Sequence, residues 1–425
     1  MLIPSHRRNF LKLLGSLPLL GLIAFDDLKR KAFAAAGRSD SDNIYTRLGV
    51  KPLINGRGVW TYLSGTLELP AVRKAKQEAA LHYVDIFDLQ QAVGKRLAEL
   101  SGAEFGMVTS GAAGAMAAAT AACIAGADPA LIWQLPDTTG LKHEVIMFPG
   151  RNAFDSAIRL AGGKLVIAPT LDDVRRSVNP NTAMIYTTRS GEQLEKLVAI
   201  AKEVKVPLLL DQAAGIPPID SIRVYAKMGV DLYTFSGGKG LRGPQCSGLL
   251  FGRKDLIDAA IANYNPWEGS VCRPMKVGKE EIMGCLAAVE WWLQADFEKL
   301  EKEWLDRLSR IKKLVESVPG VSAEISEQTD PYRPPRLSLN WDEKAWNFTI
   351  ADCDRQLRVG NPRIEVLTVS NNPPMVPAVR KKDPKLPSRP DEMHIVSMTL
   401  RSGDDLIIGK RLRDILSSAR KAAKA

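Results

Sequence analysis

Between residues 105 and 263 short apolar runs alternate with amphipathic stretches. The runs at 105–109, 144–148, 164–168, 183–187, 206–210, 230–235 and 248–251 are apolar and too short for helices, so they read as buried strands. The stretches at 153–161, 192–204, 221–228 and 254–263 repeat apolar residues at helical spacing, with Leu194, Leu197, Val198 and Ala201 on one face of the second. An alanine-rich stretch running to Gly126 after the first strand is a further helix. This rhythm predicts an α/β fold whose mainly parallel, seven-stranded sheet carries helices on both faces.

The flanks read differently. Residues 43–69 look irregular, an extended arm packed on the main body. Helical patterning starts near Pro70, is clearest at Leu89, Val93, Leu97 and Leu100, and stops at Ser101-Gly102. From Lys279 to about residue 318 a long helical segment, interrupted once, leads into a smaller α+β region. Strands are expected there near 321–325, 336–339, 363–368 and 394–400, with a last helix from Asp404. Residues 371–391 hold six prolines and read as a long loop of the kind that serves as a lid. The expected divisions are a leader over 1–36, an arm over 37–69, a large domain over 70–278, and a linking helix with a small domain over 279–425.

Composition narrows the function. The 425 residues are 45% hydrophobic and 25% charged, as in ordinary globular chains. The net charge is +10, but no stripe of Lys and Arg of the kind that holds nucleic acid is present, so a small anionic ligand is the expected partner. Five cysteines without a CxxC pair form neither a disulfide framework nor a metal site, and four of them sit among apolar or small neighbours as buried residues do.

Candidate chemistry centres on residues 231–248, DLYTFSGGKGLRGPQCSG. A strand stops at Ser236-Gly237-Gly238 and delivers Lys239 at its carboxyl end, where α/β sheets bind ligands. Asp211 follows the apolar run at 206–210, and Ser110-Gly111-Ala112 opens a helix straight after a strand. Pyridoxal 5'-phosphate needs three such groups. It needs an amine to bond its aldehyde, a carboxylate to keep its ring nitrogen protonated, and a helix N-terminus to cradle its phosphate. Lys239, Asp211 and Ser110 with Gly111 and Ala112 supply them in order, and Ser236 is a further phosphate donor. Arg242, Arg273, Lys276 and Lys279 offer positive charge to a substrate carboxylate or phosphate.

The first 36 residues stand apart. Arg7-Arg8 precedes Phe10-Leu11-Lys12, an apolar stretch from Leu13 to Phe25, the cluster Lys29-Arg30-Lys31, and Ala34-Ala35-Ala36. The stretch resembles a twin-arginine export signal, which implies delivery to the periplasm, with no membrane contact beyond the signal itself. Its apolar part is too short for a transmembrane span.

Asp211-Gln212-Ala213-Ala214, Ser236-Gly237-Gly238-Lys239 with Arg242-Gly243-Pro244-Gln245, and Arg273-Pro274-Met275-Lys276 resemble fold-type-I pyridoxal phosphate enzymes. The branch is that of bacterial selenocysteine synthase and D-glucosaminate-6-phosphate ammonia-lyase. The resemblance runs from about Asn43 to the C-terminus and includes Ile54-Asn55 and Val108-Thr109-Ser110-Gly111. It implies that Lys239 bonds the cofactor, that Asp211 pairs with its ring nitrogen, and that the enzyme is a homodimer or larger. It also implies a lyase or transferase that deprotonates Cα and eliminates a β group from an anionic amino acid or amino-sugar acid. Two other readings fit the same residues: β-replacement on seryl-tRNA, and an idle exported binding protein on this fold. Nothing matches the N-terminal tRNA-reading domain of selenocysteine synthase. Gly150 stands where that family commonly has a histidine, which leaves His143 and Arg151 as candidates to stack on the ring.

Overall fold

The computed structural model describes residues 43–326, 333–368 and 392–424. The leader and the proline-rich loop lie outside them. Twelve strands among the described residues form two sheets.

The large sheet contains β2 (Phe105–Thr109), β3 (Glu144–Phe148), β4 (Lys164–Ile167), β5 (Thr182–Thr187), β6 (Leu208–Asp211), β7 (Leu232–Ser236) and β8 (Gly248–Gly252). Their order is β2-β8-β7-β6-β5-β3-β4. Every pairing is parallel except those of β8, which runs antiparallel to both β2 and β7. Two-sided burial explains why these strands read as unbroken apolar runs, apart from the edge strand β4, whose residues are half-buried or exposed. β6 begins two residues later than its apolar run because Pro207 has no N–H for the ladder. The helix Gly111–Ala125 is buried almost all round, and its alanines let it lie close to the sheet.

The second sheet, ordered β1-β11-β12-β10-β9, contains β1 (Leu53–Gly56), β9 (Ser322–Ile325), β10 (Arg336–Asn340), β11 (Arg363–Thr368) and β12 (Met393–Val396). The arm is thus not wholly irregular, because its Leu53–Gly56 pairs in parallel with β11. The arm also reaches the large domain. Thr66 donates from its amide to Gly238 O at 3.2 Å and from its hydroxyl to Lys239 O at 2.7 Å.

Other boundaries moved for local reasons. The helical pattern after Pro70 is two helices, Pro70–Ala79 and Ile86–Ser101, because Asp85 accepts from the amides of Phe87 and Asp88 and starts the second afresh. The segment from Lys279 carries its one expected break, between Lys279–Gln294 and Phe297–Val315, with Asp296 capping the latter. The strand expected over 394–400 ends at Val396, beyond which Thr399 turns to donate to Asn55 O at 2.7 Å. Helices Leu171–Ser177 and Ile350–Val359 were not expected, although each starts with a capping box, Thr170 with Asp173 and Thr349 with Asp352. Among the described residues no helix is long and apolar enough to cross a membrane.

Candidate active site

β6 and β7 are parallel neighbours, so their carboxyl ends bring Asp211 and Ser236 to one edge of the sheet. Lys239 follows on a turn that only glycine permits. A Cβ at Gly240 would stand 1.8 Å from Ile216 O, and one at Gly237 would stand 1.9 Å from Ser247 Oγ. The turn is closed by Gly237 N donating to Ser247 O and Gly243 N to Gly237 O, both at 2.8 Å. Lys239 is half-buried. Burial lowers its pKa, and the charge of Asp211 opposes that shift in part.

The Asp211 carboxylate is buried and held at both oxygens. Oδ1 accepts from Ala213 N at 2.9 Å, and Oδ2 accepts from the Tyr186 hydroxyl at 2.9 Å. Tyr186 comes from β5, the next strand over, and its hydroxyl accepts in turn from Asn152 Nδ2 at 2.9 Å. Burial and the Asp211 charge push the Tyr186 phenol well up, so it remains a donor. Asn152 Oδ1 accepts from the amide of Phe154 at 2.8 Å, and the Phe154 ring centroid lies 5.5 Å from Lys239 Nζ.

Ser110 ends β2 and precedes the helix Gly111–Ala125, with Ala112 buried in its first turn. Ser110 does not cap its own helix. Its amide donates to the Tyr264 hydroxyl at 2.7 Å, and its Oγ shares a hydrogen bond with that hydroxyl at 2.9 Å. Gly111 has a φ of 80°, and the space where its side chain would begin is open. The helix start therefore offers first-turn amides and the positive end of the dipole, with open space beside Gly111.

The basic candidates divide. Arg242 is half-buried, donates from Nε to Leu67 O at 3.2 Å, and has its pKa lowered by burial and by Arg307 and Arg73. Arg273 is half-buried and Lys276 exposed, and neither is hydrogen-bonded to Ser110, Asp211 or Lys239. Lys279 is occupied elsewhere, since it donates to Ala79 O at 2.8 Å and pairs with Glu280. Of the two candidates for stacking on the ring, His143 is ruled out by its position. His143 precedes β3 and so lies at the amino edge of the parallel strands, bonded to Leu141 O and Asn181 O. Arg151 is paired with Asp155 at 2.7 Å. Four cysteines are buried, and Cys246 is exposed.

Tyr186, Asn152, Phe154 and Tyr264 were missed. Tyr186 left no signal because its role depends on β5 lying beside β6. The placement of His143 was legible, since a residue before a parallel strand cannot reach the carboxyl edge. The donor set as a whole, a half-buried amine, a fixed buried carboxylate and an open helix N-terminus, fits a phosphorylated pyridine aldehyde.

Comparison with known proteins agrees. The aminotransferase class-V family model matches residues 168–347. A 5'-C-glycyluridine monooxygenase-decarboxylase from Streptomyces sp is 32% identical over 339 residues, covering 75% of this chain and 83% of that protein. The D-glucosaminate-6-phosphate ammonia lyase of Salmonella typhimurium is 28% identical over 394 residues, covering 89% of this chain and 99% of the relative. The solved structure of a D-glucosaminate-6-phosphate ammonia-lyase superposes with a TM-score of 0.74 at 26% identity, over 89% of this chain and 99% of that one. An L-seryl-tRNA(Sec) selenium transferase of Moorella thermoacetica is 26% identical over 325 residues, 66% of each chain.

Proposed function

The chain belongs to the fold-type-I pyridoxal phosphate enzymes related to selenocysteine synthase and D-glucosaminate-6-phosphate ammonia lyase, and on that premise we propose that it is an ammonia-releasing lyase. Its substrate would be an anionic amino acid or amino-sugar acid. The observation that carries this reading is the likeness to the ammonia lyase over 89% of the chain.

When bound, pyridoxal phosphate supplies an electron sink for the charge left at Cα. The residues divide the remaining work. Lys239 would hold the cofactor through Nζ, and as a neutral amine it would take the Cα proton there. Its lowered pKa raises the share of neutral amine available for that step. Asp211 keeps a proton on the ring nitrogen. Ser110, Ser236 and the amides of Gly111 and Ala112 hold the phosphate. Arg242, Arg273 and Lys276 would supply positive charge for the substrate's anionic group. Loss of the Cα proton expels a β hydroxyl with its electron pair, and water then releases ammonia and leaves a keto acid.

The test is ammonia release from a panel of 2-amino-3-hydroxy acids and amino-sugar acids. No ammonia from any of them would remove this reading. A second reading rests on the 32% identity to the monooxygenase-decarboxylase. It expects substrate-dependent oxygen uptake and carbon dioxide release from an amino acid carried on a nucleoside, so oxygen electrode traces on the same panel with 5'-C-glycyluridine added separate the two. Transfer of selenium to seryl-tRNA is a third outcome, read as β-replacement without ammonia.

Two further properties belong to the proposal. The chain would form a homodimer, favoured by the exposed Leu81, Tyr83 and Val84 and by Phe87 packed edge-on to Trp267 at 4.8 Å. It would also act in the periplasm after twin-arginine export.

A further inference from the structure

Phe154 is a large apolar side chain left 55% exposed inside the proposed site. Its ring lies 5.5 Å from Lys239 Nζ, the atom that would bond the cofactor. Its backbone is also tied to the carboxylate that holds the cofactor's other end. Phe154 N donates to Asn152 Oδ1 at 2.8 Å, Asn152 Nδ2 donates to Tyr186 at 2.9 Å, and Tyr186 donates to Asp211 at 2.9 Å. Asn152 thus spends both ends of its amide on one linkage, which ties the Phe154 backbone to the carboxylate through Tyr186. Phe154 O also accepts from Ala157 N at 3.1 Å, which anchors the residue on its other side.

We propose that Phe154 is the aromatic cover of the cofactor ring and that Asn152 positions it. A protonated pyridine is flat, electron-poor and cationic, and an aromatic face attracts such a group by stacking and by its quadrupole. No competing side chain fills the space nearby on this loop, since the region where a Gly150 side chain would begin is open and Arg151 is paired with Asp155. The cofactor would in turn remove the exposed Phe154 face from water. The inference rests on the cofactor assignment to Lys239 and Asp211.

Titration of apoenzyme with pyridoxal phosphate tests it. Phe154→Ala and Phe154→Leu should each weaken binding about tenfold, as loss of one aromatic pair predicts, and should reduce the visible circular dichroism of the bound cofactor. Phe154→Tyr should restore both. Phe154→Trp should bind normally, and its added tryptophan emission should be quenched by energy transfer to the cofactor. Asn152→Ala should lower the dichroism with the ring still present, as expected of a positioning residue. Wild-type affinity and dichroism in Phe154→Ala, or an unquenched new tryptophan, would overturn the proposal. Borohydride labelling of Lys239 in every protein keeps the two failures apart. If wild type takes no label there, the cofactor assignment is wrong. If all variants are labelled but unchanged, only the role of Phe154 is.

Discussion

Tyr186 donates its phenolic hydrogen to Oδ2 of Asp211 across 2.9 Å, from one parallel strand to the next. With Ala213 N on Oδ1, this bond fixes the plane of the carboxylate and leaves its free lone pairs for the cofactor nitrogen. Tyr186→Phe keeps the packing but leaves one buried oxygen a donor short. Such a loss costs roughly 1–3 kcal/mol, so the thermal midpoint should fall, and kcat should fall about tenfold as the carboxylate gains freedom. Equal melting and equal turnover would show that the bond does nothing.

Asp211→Asn tests the carboxylate directly. The amide is nearly isosteric and still accepts from Ala213, so the fold and cofactor binding should persist. It cannot balance a ring-nitrogen proton, and electrostatic stabilisation of this kind is commonly worth several kcal/mol. Turnover should fall at least a hundredfold. A variant within about threefold of wild type, under 1 kcal/mol by transition-state arithmetic, would end the assigned role.

Lys239 makes a prediction about pH. Burial is the larger influence on it and lowers its pKa from the ordinary 10.5. The folded apoprotein therefore binds fewer protons there than the unfolded chain over the interval between the two values. Stability should rise with pH in that interval, because holding a partly buried ammonium costs most below the lowered pKa and nothing once the group is neutral in both states. Apo Lys239→Met should then be the more stable protein near neutral pH, and its advantage should close as pH climbs toward about 10.5. Melting curves of both apoproteins across that range would show it. A gap that widens with pH contradicts the sign. The same substitution should abolish the borohydride-reducible label, and a label appearing on Lys276 would relocate the cofactor.

How much the chain disclosed depended on distance. Phe105–Thr109, Glu144–Phe148 and Glu192–Val204 were legible with their boundaries, since each is set by an apolar pattern and by local start and stop residues. The placement of Asp211 and Ser110 at strand ends was legible because each directly follows an apolar run, and that of Lys239 because only the turn Ser236-Gly237-Gly238 separates it from one. β1 was not, because Leu53–Gly56 is four residues long and its partner Arg363–Thr368 lies some 310 residues away. Tyr186 reads only as a strand residue until β5 and β6 are seen side by side, and the paired tie from Asn152 to Phe154 and Tyr186 exists only in the folded loop. Tyr264 joins Ser110 across 154 positions, which no periodicity records.

The last prediction concerns export. Arg7-Arg8 belongs to a stretch resembling a signal for the route that carries proteins already folded. Loading the cofactor before export would need such a route, since Ser110, Asp211 and Lys239 span 129 positions and meet only when the sheet has formed. An unfolded chain threaded through a membrane could not hold pyridoxal phosphate between them. The mature protein, starting near Gly37, should therefore appear outside the cytoplasm with the cofactor bound. Arg7→Lys with Arg8→Lys keeps both charges but loses the planar guanidinium fork. It should trap an active, uncleaved precursor inside the cell. Fractionation with a cofactor assay on each compartment decides the matter. A double-lysine protein exported as well as wild type defeats the twin-arginine reading. Exported protein without pyridoxal phosphate leaves that reading standing but removes the cofactor as a reason for using a folded-protein route.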